Sequence, residues 1–166
     1  AAADRRSLAA RPGSEGTIEM ILDFHVVGEP APQGSMKAFT NKNPGRAILP
    51  HNKPQQLKNC GLMCSTAAQE SMKGRPPYRG PVYIRLEFML KRPKGHYGTG
   101  RNADRLKDSA PGFPTGKPDL DKLVRGVCDA LKDIVWADDS QVCQILAFKN
   151  YTVKQPGCKI TVTSFS

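Results

Sequence analysis

With 166 residues the chain has the length of one ordinary domain, and its 39% hydrophobic residues can supply one continuous core without disulfides or a second lobe. No run reaches the roughly 18 consecutive apolar residues of a membrane span, and the N-terminus lacks the apolar stretch of a secretory signal, so a soluble, non-membrane protein is expected. The 25 Lys+Arg against 15 Asp+Glu give a formal net charge of +10, which makes a polyanion, nucleic acid ahead of anionic membrane, the partner favoured by the long-range field.

Residues 1–19 open with AAADRRSLAARPGSEGT, which has no apolar period, and read as a disordered tail or remnant ahead of a native start at or near Met20. Residues 20–166 are then the folded domain. The run IEMILDFHVV predicts a strand from Ile18 to Val27, stopped by GEPAPQG, and SMKAF and RAILP have the look of short strands. From Pro54 to Met72, Leu57, Cys60, Cys64 and Ala67 recur three or four apart, which predicts a first helix with proline at its start. The five cysteines form an odd set without a CxxC pair, which suits neither a disulfide framework nor a zinc knuckle. Cys60 and Cys64 are expected to be small buried residues of that helix.

In PVYIRLEFMLKR, Val82, Ile84, Leu86 and Phe88 alternate with Tyr83, Arg85, Glu87 and Met89, predicting a strand with one buried face. The segment from Pro93 to Pro118 is rich in Gly and Pro, has no period, and carries Lys94, Arg101, Arg105, Lys107 and Lys117 against Asp104 and Asp108. A loop of this length within one domain is either functional or an unimportant solvated insertion. A second helix follows Pro118, with Leu120, Leu123, Val124, Val127 and Leu131 on one apolar stripe. QVCQILAFKNYTV and CKITVTSF then read as two closing strands joined as a hairpin by KQPG. The expected architecture is α+β, a small mixed β-sheet with two helices packed on one face.

The second helix lies in KPDLDKLVRGVCDALKDIVWADD, residues 117–139, which hold six of the fifteen acids: Asp119, Asp121, Asp129, Asp133, Asp138 and Asp139. Two readings are compatible with this spacing. In one, Asp119 and Asp121 complement a helix N-terminus, each contributing roughly 0.3–1 kcal/mol, and Asp138 and Asp139 open a turn. In the other, Asp119, Asp121 and one of the later pair converge on a divalent cation, whose charge would compensate carboxylates that otherwise repel. Asp121, Arg125 and Asp129 form an i,i+4 ladder on a separate face. Trp136 is expected to pack on the second helix, with base stacking as the alternative.

The run KPDLDKLVRGVCDALKDIVWADDSQV, together with Lys149, resembles the signature of the RusA family of Holliday-junction resolvases, many of them phage- or prophage-borne: PD-x-D-N-L-x-K, then DAL, then W-x-DD-x-QV. GEPAPQGSMKAF, GPVYIRLEFMLKRPKGH and the last two strands are similar to the family's other blocks, so the likeness spans nearly all of 20–166. The resemblance implies a homodimeric endodeoxyribonuclease of the bacterial cytoplasm that cuts branched, four-way DNA by paired symmetric nicks. It further implies that Asp119, Asp121 and Asp139 are catalytic and bind Mg²⁺, with Mn²⁺ as a substitute. Arg125 falls where the family has a catalytic lysine, and Lys122 where it has asparagine. Arginine retains the charge that holds a phosphate but, with a pKa above roughly 12, is a poor proton donor, so a junction-binding protein with impaired catalysis is the alternative. Lys37, Lys94, Arg101, Arg105, Lys107 and Lys122 are the candidate DNA contacts.

Overall fold

A computed structural model of the chain describes residues 17–31 and 54–165, the side chains of 54–59 excepted. SMKAF, RAILP and Lys37 lie outside these residues. The described chain forms β1 (Ile18–Val27), α1 (Pro54–Met72), β2 (Val82–Lys91), α2 (Leu120–Leu131), β3 (Val142–Thr152) and β4 (Gly157–Phe165). Ile18 and Glu19 already belong to β1, where Ile18 pairs with Phe165.

The strand order is β1-β4-β2-β3, with β1–β4 and β4–β2 antiparallel and β2–β3 parallel, so the sheet is mixed as expected. The expected β3–β4 hairpin does not form, because β4 inserts between β1 and β2 and leaves β3 on the edge. Burial accounts for the difference. β4 buries one face along its length through Cys158, Ile160, Val162 and Ser164 and adds Thr163 on the other, whereas Cys143 to Leu146 of β3 are exposed in succession. The strand with more side chain to bury takes the centre, and the more exposed one takes the edge. The connection after Thr152 therefore passes the end of β2, and Gly28 of the β1 end donates its N–H to Pro156 O at 3.0 Å. Gly157 begins β4 where a Cβ would stand 2.4 Å from Val26 O, so the close strand approach excludes any larger residue.

The alternation read in β2 is observed: Val82, Ile84, Leu86, Phe88 and Leu90 are buried, and the intervening residues are half-exposed. Their face meets Leu22 and Val26 of β1, Ile160 and Val162 of β4, Cys64, Ala68 and Met72 of α1, and Leu123, Val127 and Leu131 of α2 in one core. Burying each such Leu, Ile, Val or Phe contributes about 1.5–3 kcal/mol, which holds both helices on one side of the sheet. Leu120 and Val124 complete the α2 stripe at its partly buried margin. Trp136 is fully buried in the same core, in keeping with packing on α2 and against base stacking.

The Pro93–Pro118 segment is more ordered than its lack of periodicity suggests. It contains short 3₁₀ turns at Lys94–His96 and Gly100–Asn102. Gly98 N–H donates to Arg105 O and Lys107 N–H to His96 O, both at 2.9 Å, closing the loop on itself. Backbone pairing of this kind has no side-chain period to betray it.

Candidate active site

α2 begins at Leu120 with Asp119 in the N-cap position, extended at φ −71° and ψ 136°. Its carboxylate makes no capping bond. Instead Lys122, one turn on, donates Nζ to Asp119 Oδ2 at 2.5 Å. This ammonium, reinforced by the charges of Lys117 and Lys149, holds the Asp119 carboxyl below the usual carboxylate range. Reciprocally, Asp119 raises the Lys122 ammonium, with Asp121 adding to the effect. The N-terminal end of the α2 dipole favours both carboxylates.

Lys149 ties this end of the helix to the sheet. It sits opposite Phe88 in the parallel β2–β3 register, and its Nζ donates to Gly116 O at 2.8 Å and Pro118 O at 3.0 Å. The segment entering Asp119 is thereby strapped to an edge strand. Asp121 and Arg125 are exposed on α2, and neither side chain makes a hydrogen bond or ion pair among the described residues.

At the other end of α2, Asp133 occupies the left-handed region at φ 63°, and its N–H donates to Trp136 O at 2.8 Å, so this acid serves a turn. Asp138 caps the short 3₁₀ turn Asp139–Gln141 by accepting from Ser140 N–H at 2.9 Å, as the turn reading anticipated. Gln141 completes the capping box and does more. Its Oε1 accepts from Ala137 and Asp138 N–H at 2.9 and 2.8 Å, while its Nε2 donates to Tyr78 and Gly80 O at 3.0 and 2.9 Å. Asp139 is exposed, and its Oδ1 accepts from the buried Trp136 indole N–H at 3.0 Å. Its charge, after desolvation, helps push the Cys128 thiol up to about 11, so Asp139 faces the α2 flank.

The structure thus brings Asp119, Asp121, Lys122 and Lys149 into one neighbourhood and holds Asp139 through Trp136. It does not gather the three aspartates. Among the described residues no three His, Cys, Asp or Glu side chains form a group that could hold a metal ion. The donor chemistry itself suits a hard divalent cation: carboxylate oxygens, with Asp121 unpaired and the second oxygen of Asp139 without a hydrogen bond. Of the two Asp119 carboxylate oxygens, Oδ2 is already occupied by the Lys122 ammonium.

Of the candidate DNA contacts, Lys94, Arg101, Arg105 and Lys107 are exposed on the loop, and Lys107 also donates to Gly95 O at 2.9 Å, bracing it. The roles of Lys149 and Gln141 exceed what the sequence shows. The D-x-x-Q spacing at Asp138 and Gln141 signals the capping box, but nothing local signals the bonds to Tyr78 and Gly80.

Residues 28–163 match the family described as endodeoxyribonuclease RusA. The chain belongs to the RusA endodeoxyribonuclease family. The RusA match contains every described site residue above. The chain is also 26% identical over 145 residues to the uncharacterized protein YqaN of Bacillus subtilis (strain 168), covering 87% of this chain and 97% of that protein. No helix among the described residues is long and apolar enough to cross a membrane.

Proposed function

We propose that the protein is a Mg²⁺-dependent endodeoxyribonuclease that resolves four-way DNA junctions by paired symmetric nicks, acting as a homodimer in the bacterial cytoplasm. The observation that carries this reading is the RusA match across residues 28–163, which contains Asp119, Asp121 and Asp139. Asp119, Asp121 and Asp139, which the structure leaves ungathered, would hold Mg²⁺ or Mn²⁺ only once drawn together on it, and the bound cation would supply positive charge to the scissile phosphate and lower the pKa of water. Arg125 lies one turn beyond Asp121 with its guanidinium exposed, placed to draw in a phosphate and to offset charge developing on it. Lys149 keeps Asp119 in place through the Gly116 and Pro118 carbonyls, and Trp136 orients Asp139 through one oxygen. The excess of basic residues supplies sequence-independent phosphate binding, and a two-fold dimer would place one acidic site on each of two opposed strands.

A second reading, a junction-binding protein with impaired catalysis, is favoured by Arg125 in the family's lysine position and by Lys122 occupying Asp119. A synthetic four-way junction incubated with wild type and Asp121→Asn, with and without Mg²⁺, separates the two. The nuclease predicts cutting by wild type with metal only, and a loss on the order of a thousandfold in Asp121→Asn with binding retained. Junction binding without cutting in any divalent metal selects the second reading. Arg125→Lys should leave cutting within about threefold if charge is the whole contribution of Arg125; a sharp rise would show that the position must release a proton.

A further inference from the structure

Phe113 is 71% exposed, in the sequence APGFPTGKPD that ends at Asp119. A lone apolar side chain on a surface is ordinary. Phe113 differs because the backbone on either side of it is fixed. Before it, Arg92 Nη1 donates to Pro111 O at 2.9 Å, and that guanidinium lies 4.3 Å above the Tyr151 ring, which His96 meets edge-on at 5.4 Å. After it, Pro114 is buried, Thr115 N–H donates to Phe113 O at 3.0 Å, and Lys149 grips Gly116 O and Pro118 O. Among the described residues the other well-exposed phenylalanine is Phe148, whose ring lies beneath the Arg85 guanidinium at 5.3 Å.

We infer that Phe113 is a stacking platform for an unpaired nucleobase at the branch point of the bound junction, an inference that rests on the junction-binding reading above. A flat apolar ring held outward is matched by the π-face of any base, and apolar wedges of this kind hold open the steps they enter. Duplex DNA keeps its bases stacked, whereas a branch point offers bases with a free face. The loop also carries Arg101, Arg105 and Lys107, exposed and able to meet the flanking phosphates. Because the anchoring groups fix the perch before binding, little ordering cost falls on the complex. The Lys149 strap, which joins the perch to the segment entering Asp119, would fix the cut relative to the branch.

The test uses a four-way junction carrying 2-aminopurine at the branch point, a second with the probe ten or so base pairs along one arm, and a linear duplex, all without divalent metal so that no strand is cut. Binding of wild type should change the branch-point emission and leave the arm probe unchanged. Phe113→Ala should abolish the branch response and weaken junction affinity by about five- to a hundredfold, with duplex affinity unchanged. Phe113→Trp, which keeps a stacking ring, should restore both. An unaltered response and affinity in Phe113→Ala would overturn the inference, as would equal weakening on junction and duplex, or a shift in oligomeric mass that marked Phe113 as a subunit contact. Wild type that bound no junction at all would overturn the proposed function with it, so the two failures are told apart by the wild-type arm.

Discussion

Lys122 and Asp119 define the chemistry of the helix start at the level of single residues, because one ammonium decides what the carboxylate can meet. The Asp119 carboxyl is depressed, so the stability its ionised form lends is present above the unfolded-state pKa and is lost as pH falls through the folded-state value. The Lys122 ammonium is raised, so its contribution is present below its unfolded-state pKa and fades as pH rises through the folded one. Across neutral pH both are charged and the pair is intact. Lys122→Gln removes the largest cause of the depression, and the Asp119 carboxyl should then titrate higher, toward ordinary aspartate, when followed by carboxyl-carbon NMR. A titration curve unmoved by the substitution would show that Lys117 and Lys149 set the value instead. The stability at stake is small, as for exposed pairs generally, so the consequence belongs to the site.

At the scale of elements, the turn between α2 and β3 is held by Gln141, whose amide makes four hydrogen bonds to the backbone. At about 1 kcal/mol for each bond, Gln141→Ala should cost roughly 2–4 kcal/mol and lower the midpoint of thermal unfolding by about 5–15 °C. A change of only a degree or so would mean that water replaces the side chain without penalty. Local periodicity made α1, β2 and α2 legible in the sequence, because their apolar residues recur at the period of the backbone, and β1 was legible from its apolar, β-branched run and the turn residues that stop it. The partner of β4 was not legible. The short KQPG connection suits a hairpin, and only the competition among strands for the buried centre excludes it. The RusA resemblance, and not the spacing, singled out Asp119, Asp121 and Asp139 as a set, and no local pattern showed the Lys149 strap, whose partners lie more than thirty residues away.

For the whole molecule, the net charge of +10 predicts that junction binding is strongly salt-dependent. If six or more phosphates are neutralised, affinity should fall by about a thousandfold or more between 50 and 200 mM salt, and a shallow dependence would argue against a phosphate-led interface. Lys117, Lys122 and Lys149 act on Asp119, a carboxylate that the same phosphates would repel, so attraction at the surface and a cation at the acids must act together for a nuclease. Mapping cuts on a mobile four-way junction, each strand labelled in turn and Mg²⁺ present, tests that account most directly. It predicts nicks at symmetric positions on two opposed strands, ends that DNA ligase reseals, and no cutting of the matched linear duplex. Firm junction binding with every strand left intact, in Mg²⁺ and in Mn²⁺ alike, would contradict it.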